Sequence, residues 1–352
     1  MNIEQIWGNW EKAEDSGANI FSGTFVISNE QGIMYEKCVG YRNRGESLPN
    51  NIDTAYGIAS GTKMFTGLAI CKLIEAKKLS LEDKLCDILP HDLKQIDMRI
   101  TIFHLLTHSS GVGDYMDDED DDVIEKIQAT YDSYPVRLWT NLEYYLQLFT
   151  HLPPKFEPGE RYGYSNTGYI LLGLVVEAVS GRSYQDFVTD EIIKPNNLTH
   201  TGFYRMNFLP ANVAQGYTED EDTGECRSNI YETPIIGGSD GGLYSCTSDI
   251  NKLWRALIAN KILSPEMTKA FLAPQIIRDE DDDERYYGLG LYFYKDNEND
   301  EKIFHYALGC DAGVNFFTAY FPKFGITASA LCNLENAEVI PLMYELAELL
   351  YD

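Results

Sequence analysis

Ser60 and Lys63 stand three residues apart in the stretch Tyr56-Gly57-Ile58-Ala59-Ser60-Gly61-Thr62-Lys63-Met64-Phe65-Thr66-Gly67. At i and i+3 of a helix a hydroxyl and an amine share one face, so the amine can take the hydroxyl's proton or hold its charge during attack on a carbonyl. The first turn of a helix adds a positive field at the serine and makes the Ser60 backbone N–H a candidate oxyanion donor. An S-x-x-K triplet also arises by chance in a chain of this length, so its meaning depends on what faces it.

A second stretch, Pro158-Gly159-Glu160-Arg161-Tyr162-Gly163-Tyr164-Ser165-Asn166-Thr167-Gly168-Tyr169, carries Tyr164 and Asn166 on a Gly/Pro loop just before a helical pattern. A tyrosine beside a lysine can serve as phenolate or proton relay, because a cation favours the ionised phenol. Asn166 offers an amide to a substrate carbonyl and to Lys63; the plainer reading is a helix cap at Asn166 with an anchoring tyrosine. Other polar groupings carry less. His104 and His108 have the i, i+4 spacing of a zinc helix, but Leu105 stands where the glutamate of H-E-x-x-H belongs, and no metal or cofactor is expected. Gly237-Gly238-Ser239-Asp240-Gly241-Gly242 lacks the lysine and the strand-to-helix setting of a phosphate cradle and reads as a turn near a cleft mouth. Asn197-Leu198-Thr199 is a glycosylation pattern that matters only in a secreted chain.

The elements that must position these groups follow from periodicity. Residues 3–14 read as a short amphipathic helix. Residues 21–28 and 32–39 are β-branched and aromatic runs around Asn29-Glu30-Gln31-Gly32, a hairpin signal. Met64, Leu68, Cys71 and Ile74 continue the Ser60 stretch at helical spacing up to Lys77-Lys78. Thr101 caps a short helix that ends before Gly111. Asp117-Asp118-Glu119-Asp120-Asp121-Asp122 is a like-charge run expected to stay solvated. Thr167 to Ser180 is almost wholly apolar, yet at ~14 residues it suits a buried helix rather than a membrane span. After residue 235, residues 287–294, 302–307, 314–321 and 326–332 read as four successive antiparallel strands, and a last amphipathic helix covers about 337–350. The pattern predicts an α/β (α+β) protein: one antiparallel sheet from 1–60 and 235–352 with flanking helices, interrupted by a mainly helical domain over 61–234.

The chain has 352 residues and 44% hydrophobic content, enough for a large core without staples. Its formal charge of −27 disfavours nucleic acid and anionic membranes, and leaves a small molecule or peptide, neutral or cationic, as the expected partner. The charge also serves solubility. Seven cysteines (Cys38, Cys71, Cys86, Cys226, Cys246, Cys310, Cys332) form no C-x-x-C pair and are odd in number, which predicts reduced, mostly buried thiols. The N-terminus lacks the basic and apolar regions of a signal peptide, so a cytoplasmic location is expected unless a leader has been removed. Oligomeric state cannot be read from the sequence.

The order S-x-x-K, about a hundred residues, Y-x-N and then a C-terminal sheet resembles the penicillin-recognising serine hydrolases, in particular the class C β-lactamase-like branch with its D,D-carboxypeptidases, D-aminopeptidases and esterases. Further matches in order are Gly40-Tyr41-Arg42-Asn43, Ile102 to Gly111, Phe156-Glu157-Pro158-Gly159, Gly241-Gly242-Leu243-Tyr244-Ser245 and Tyr287-Gly288-Leu289-Gly290. The resemblance implies a β-lactamase/transpeptidase-like fold with its site between sheet and helical domain. It also implies Ser60 as acylated nucleophile, Lys63 with Tyr164 as general base and acid, Asn166 on the substrate amide, and the Cys310 N–H beside that of Ser60 in the oxyanion hole. The third motif departs. Counting back from Gly313, Ala307-Leu308-Gly309 stands where the family carries K-T-G, H-x-G or W-x-G; an alternative register uses His305, which is a candidate cleft residue or a packing histidine. Alanine and leucine cannot hold a substrate carboxylate as lysine and threonine do. An ester or amide substrate, including a D-amino-acid peptide, is therefore expected ahead of D,D-carboxypeptidase or class C β-lactamase activity, and a non-hydrolytic ligand-binding or sensor module is the alternative. Asp311 has two readings, contact with a substrate amine or simple turn formation.

Overall fold

The computed structural model describes residues 4, 7–8, 21–117, 122–220, 223, 225–279, 283–296, 303–335, 337 and 339–351. Most of the helix expected over 3–14, and Asp118 to Asp121 of the acidic run, lie outside the described residues. The two ends of that run are described: Asp122 is exposed, whereas Asp117 is half-buried and accepts from Lys155 Nζ at 2.6 Å.

Eight strands form one antiparallel sheet: β1 (Gly23–Asn29), β2 (Gly32–Val39), β3 (Ile276–Asp279), β4 (Asp283–Tyr287), β5 (Tyr292–Asp296), β6 (Ile303–Asp311), β7 (Val314–Phe321) and β8 (Ile326–Cys332). Their spatial order is β2-β1-β8-β7-β6-β5-β4-β3, so the first hairpin pairs with the last strand, Gly23 facing Cys332 and Ser28 facing Thr327. The β1–β2 turn forms where Asn29 Oδ1 accepts the Gln31 N–H at 2.9 Å and Gly32 takes φ 137°. The run 287–294 is not one strand. Tyr287 ends β4 and Tyr292 begins β5; the chain turns between them, Gly288 N–H donating to Leu291 O at 2.8 Å and Gly290 taking φ 118°.

Both faces of the sheet are covered. Side chains alternate along β6, so Phe304 and Tyr306 point to one face and His305, Ala307 and Gly309 to the other. Phe304 packs on Tyr344 of the C-terminal helix Val339–Tyr351, and on the opposite face Trp254 of helix Thr247–Ile258 donates to Thr318 Oγ1 at 2.9 Å, Thr318 being paired with Ala307. Two further helices are buried nearly all round, α1 (Thr62–Glu75) and α2 (Asn166–Ser180), which makes them core rather than surface helices. They pack on each other and carry the two motifs at their N-termini. Gly67 of α1 meets the β4–β5 turn so closely that a Cβ there would lie 1.9 Å from Leu289 O. Ser60 itself sits in a 3-10 turn, Ala59–Gly61, that leads into α1.

Among the described residues no helix is long and apolar enough to cross a membrane. The cysteines are less buried than their type predicts. Cys71, Cys246 and Cys332 are buried, but Cys38, Cys86 and Cys226 are half-buried and Cys310 is exposed, because the latter four lie on an outer strand, a surface helix, a short hairpin and the cleft wall.

Candidate active site

The backbone presents Ser60 under strain. Ala59, immediately before it, takes φ 43°, a left-handed conformation costly for a residue with a Cβ. β6 runs alongside: a Cβ on Gly309 would lie 2.3 Å from Ile58 O and 2.7 Å from Ser60 N, so only glycine lets the strand come this close. Cys310, the next residue, lines the same cleft as Ser60.

Three side chains converge at the serine. Lys63, 2% exposed, donates to Ser60 Oγ at 3.0 Å, to Asn166 Oδ1 at 2.8 Å and to the Asp240 carbonyl at 2.7 Å. An ammonium has three donors, and these three acceptors match them. The Tyr164 hydroxyl donates to Ser60 Oγ at 2.8 Å, and Lys63 Nζ lies 4.8 Å from the centre of the Tyr164 ring. Ser60 and Tyr164 are half-buried and face the cleft, while Lys63 lies behind them.

The Tyr164–Asn166 segment is pinned from below. Ser165, not Asn166, is the cap of α2: its Oγ accepts the Gly168 N–H at 3.0 Å. The buried Asp114 carboxylate accepts the N–H groups of Asn166 at 2.6 Å and Thr167 at 3.1 Å, together with the Thr167 hydroxyl. With the cap supplied by its neighbours, Asn166 is left to grip Lys63, and its Nδ2 donates to Met116 O at 3.1 Å, which fixes the amide's orientation. Burial pushes the Asp114 carboxyl up to about 6 against the pull of those hydrogen bonds.

Both histidines of the i, i+4 pair are committed to backbone groups. His104 Nδ1 accepts the Thr101 N–H at 3.3 Å, completing a capping box on helix Ile102–Leu106. His108 is wholly buried in left-handed conformation (φ 57°) and holds both neighbours of Tyr164: its carbonyl accepts the Gly163 N–H at 2.8 Å and its Nδ1 accepts the Ser165 N–H at 3.1 Å. Its ring lies 4.5 Å from that of Tyr164. Burial, with Lys63 adding to it, keeps the imidazole neutral, far below the usual histidine range. Since Nδ1 accepts, the proton is on Nε2.

Of the two registers for the third motif, the structure brings Ala307-Leu308-Gly309 to the serine. Ala307 and Leu308 line a pocket of about 200 Å³ with Ser60, Lys63 and Tyr164. His305 is not brought to the cleft. It is 8% exposed between Phe293 and Tyr320, at ring distances of 5.2 and 6.2 Å, and burial lowers it to about 4. It is the packing histidine.

A cleft of about 920 Å³, its open mouth included, is lined by Ser60, Tyr164 and Asn166 together with Cys310 and Asp311. Its other walls are aromatic, including Tyr131, Trp139, Tyr145 and Tyr244. The Gly237–Gly242 turn is part of the lining, with the buried Asp240 side chain accepting from the Tyr115 hydroxyl. Sequence reasoning missed Asp114, Asp240 and the Tyr164-holding role of His108. The glycines around Asp240 were the available signal, since they let the turn's backbone close on itself: a Cβ on Gly237 would lie 2.4 Å from the backbone of Gly242.

The model of one protein family, described as Beta-lactamase, matches residues 9–349. The chain belongs to the Beta-lactamase family. It is 30% identical over 297 residues to Penicillin-binding protein 4* of Bacillus subtilis, a match covering 81% of this chain and 62% of that protein's length. Among solved structures, the penicillin binding protein from Bacillus halodurans superposes with a TM-score of 0.87 at 36% identity, covering 99% of this chain and 100% of that one. The octameric penicillin-binding protein homologue from Pyrococcus abyssi gives 0.85 at 29% identity, covering 100% of this chain and 78% of that one. The fold expected of a β-lactamase/transpeptidase-like protein is thus the fold observed.

Proposed function

We propose that the chain is a serine hydrolase that cleaves an ester or amide through a Ser60 acyl-enzyme. The observation that carries this reading is the contact of one hydroxyl, Ser60 Oγ, with both Lys63 Nζ at 3.0 Å and the Tyr164 hydroxyl at 2.8 Å. In acylation the pair starts one proton short of ammonium plus phenol, as a Tyr164 phenolate beside the Lys63 ammonium; Ser60 Oγ bonds to the substrate carbonyl carbon and its proton passes to that phenolate. The pair then protonates the departing alcohol or amine as the carbonyl re-forms. Water, deprotonated by the same pair, attacks the ester, and the proton returns to Ser60 as the acid leaves. Lys63 is the charge reservoir, held by Asn166 and the Asp240 carbonyl, and Tyr164 is the relay facing the leaving group. The N–H groups of Ser60 and Cys310 are assigned to the developing oxyanion.

The substrate in this reading is a small molecule or peptide with a neutral or cationic acyl group, not one recognised by a carboxylate, since Ala307 and Leu308 offer no cation or hydroxyl beside Ser60. The family membership and the burial of Lys63 support catalysis over simple ligand capture. A cytoplasmic location, and the division into a sheet domain (1–60 and 235–352) and a helical domain (61–234), belong to the same proposal.

A fluorophosphonate followed by intact-mass analysis tests it. Wild type is expected to gain one adduct and Ser60→Ala none. On p-nitrophenyl butyrate, Lys63→Ala is expected to lose about 10³-fold or more in turnover and Tyr164→Phe about 10²-fold. A folded wild type that gains no adduct, or labelling that persists in Ser60→Ala, overturns the reading.

A further inference from the structure

The cleft beside Ser60 has a chemical character that the hydrolytic machinery does not use. Its walls are rings: Trp139 lies 5.0 Å from Tyr145 and 5.7 Å from Tyr131, edge to face, and Tyr244 is also part of the lining. Into these walls β6 delivers one carboxylate, Asp311, directly after Cys310 and on the strand face that Gly309 turns toward Ser60. Asp311 Oδ1 accepts the Ala312 N–H at 2.8 Å, which uses one lone pair and orients the group. Among the described residues no lysine, arginine or histidine is ion-paired with Asp311. A second carboxylate, Asp240, lines the same cleft, 7% exposed, held by the Tyr115 hydroxyl and with Lys63 bound to its own carbonyl.

We infer that the Asp311 end of this cleft, walled by Tyr131, Trp139, Tyr145 and Tyr244, is a binding site for the protonated amine of the acyl group whose carbonyl Ser60 attacks. This deepens the hydrolase reading above and rests on it.

Three physical points lead there. A carboxylate in a half-enclosed cleft with no ion-pair partner among the described residues costs free energy, and burial pushes Asp311 up to about 7, with Asp240 and Glu335 adding to it and the Ala312 N–H and the more distant charge of Lys63 opposing. A guest ammonium removes that cost and donates a charge-assisted hydrogen bond. Ring faces attract cations as well as apolar groups, so the aromatic walls and the acid favour one class of guest together, an amine on an apolar or aromatic body. The position also fits the chemistry. Asp311 follows the residue assigned to the oxyanion, so an amine close to the scissile carbonyl falls beside it. Ala307 and Leu308, where a carboxylate-binding pair is absent, lie on the same strand on the other side of Gly309. At the cleft the strand therefore offers an acid and no base, and selects a cation.

The test separates binding from hydrolysis by using Ser60→Ala protein, titrated calorimetrically with phenylalaninamide in either enantiomer, below the pKa of its amine, and with N-acetylphenylalaninamide. The charged amide is expected to bind about 10-fold or more tightly than its neutral counterpart, the range of one charge-assisted hydrogen bond. Adding Asp311→Asn, which keeps shape and removes charge, is expected to bring the two within about 2-fold, while Asp311→Glu retains the preference. Thermal melting confirms that each variant is folded. Equal affinity for the two amides, no binding of the charged one, or a preference that survives Asp311→Asn overturns the inference. Failure of wild type to take a fluorophosphonate overturns the hydrolase reading instead, and the two failures are read in separate experiments.

Discussion

His108 illustrates how a residue behind the proposed reacting groups can position one of them. It accepts hydrogen bonds from the residues on both sides of Tyr164 and faces the tyrosine ring, so it sets where the phenol sits. Two properties make it hard to replace: an acceptor at the Nδ1 position and tolerance of φ 57°. Asparagine has both, since its Oδ1 falls close to the place of Nδ1 and it adopts left-handed backbone readily. Phenylalanine fills the ring's volume but leaves the Ser165 N–H without its partner. We expect His108→Phe to lower kcat on p-nitrophenyl butyrate about 10-fold or more with KM changed by less than about 3-fold, as for a misplaced relay. His108→Asn should recover much of that loss. A kcat deficit equal in the two variants would show that ring volume alone matters. Ser60, Lys63 and Tyr164, the residues proposed to be catalytic, could be picked out from the sequence because their types and order carry meaning. His108, Asp114 and Asp240 could not, because each acts through tertiary hydrogen bonds to distant segments that no periodicity encodes.

At the scale of elements, strand β6 does several jobs in succession. Ala307 and Leu308 border the small pocket at Ser60, Gly309 permits contact with the serine backbone, and Cys310 and Asp311 form the cleft wall. Gly309→Ala places a methyl carbon 2.3 Å from Ile58 O, so either the strand or the Ser60 turn must move. We expect this variant to lose fluorophosphonate labelling and to be destabilised by about 1–3 kcal/mol in urea unfolding. If it labels at the wild-type rate, the close approach does not position Ser60. The same strand predicts poor reaction with β-lactams: nitrocefin hydrolysis is expected to be slow, and Ala307→Lys with Leu308→Thr should raise its rate of acylation. Rapid wild-type hydrolysis would contradict this. Strands were legible where turns were explicit, as with the Asn29–Gly32 hairpin and the runs 314–321 and 326–332, which the structure matches to the residue. They were not legible around Tyr287-Gly288-Leu289-Gly290, where alternating apolar residues imitate a strand but two glycines make the turn that packs on α1. The short β3 also escaped notice, since Ile276–Asp279 offers only two apolar residues and gains its place by pairing with β4.

For the whole molecule, chain topology and charge act together. Pairing β1 with β8 joins residues about 300 apart and leaves α1 and α2 as buried helices whose N-terminal ends meet at the cleft. A serine turn, a tyrosine loop and an acidic strand are thereby fixed on three separate elements, which is why the cleft could not be drawn from any one stretch of sequence. Around it lies a surface with formal charge −27, a field that raises the local concentration of cations and is screened over about 10 Å at 0.1 M salt. A cationic substrate therefore gains from the whole protein as well as from Asp311, and the two contributions respond differently to salt. Raising ionic strength from about 0.02 to about 0.5 M is expected to lower kcat/KM for phenylalanine p-nitroanilide several-fold and to leave p-nitrophenyl butyrate within about 2-fold. In Asp311→Asn the long-range part of that salt dependence should remain, because the other acidic residues still generate it. If the free-amine substrate proves as indifferent to salt as the neutral ester, the acid excess serves solubility alone and selection of a cation falls to the cleft.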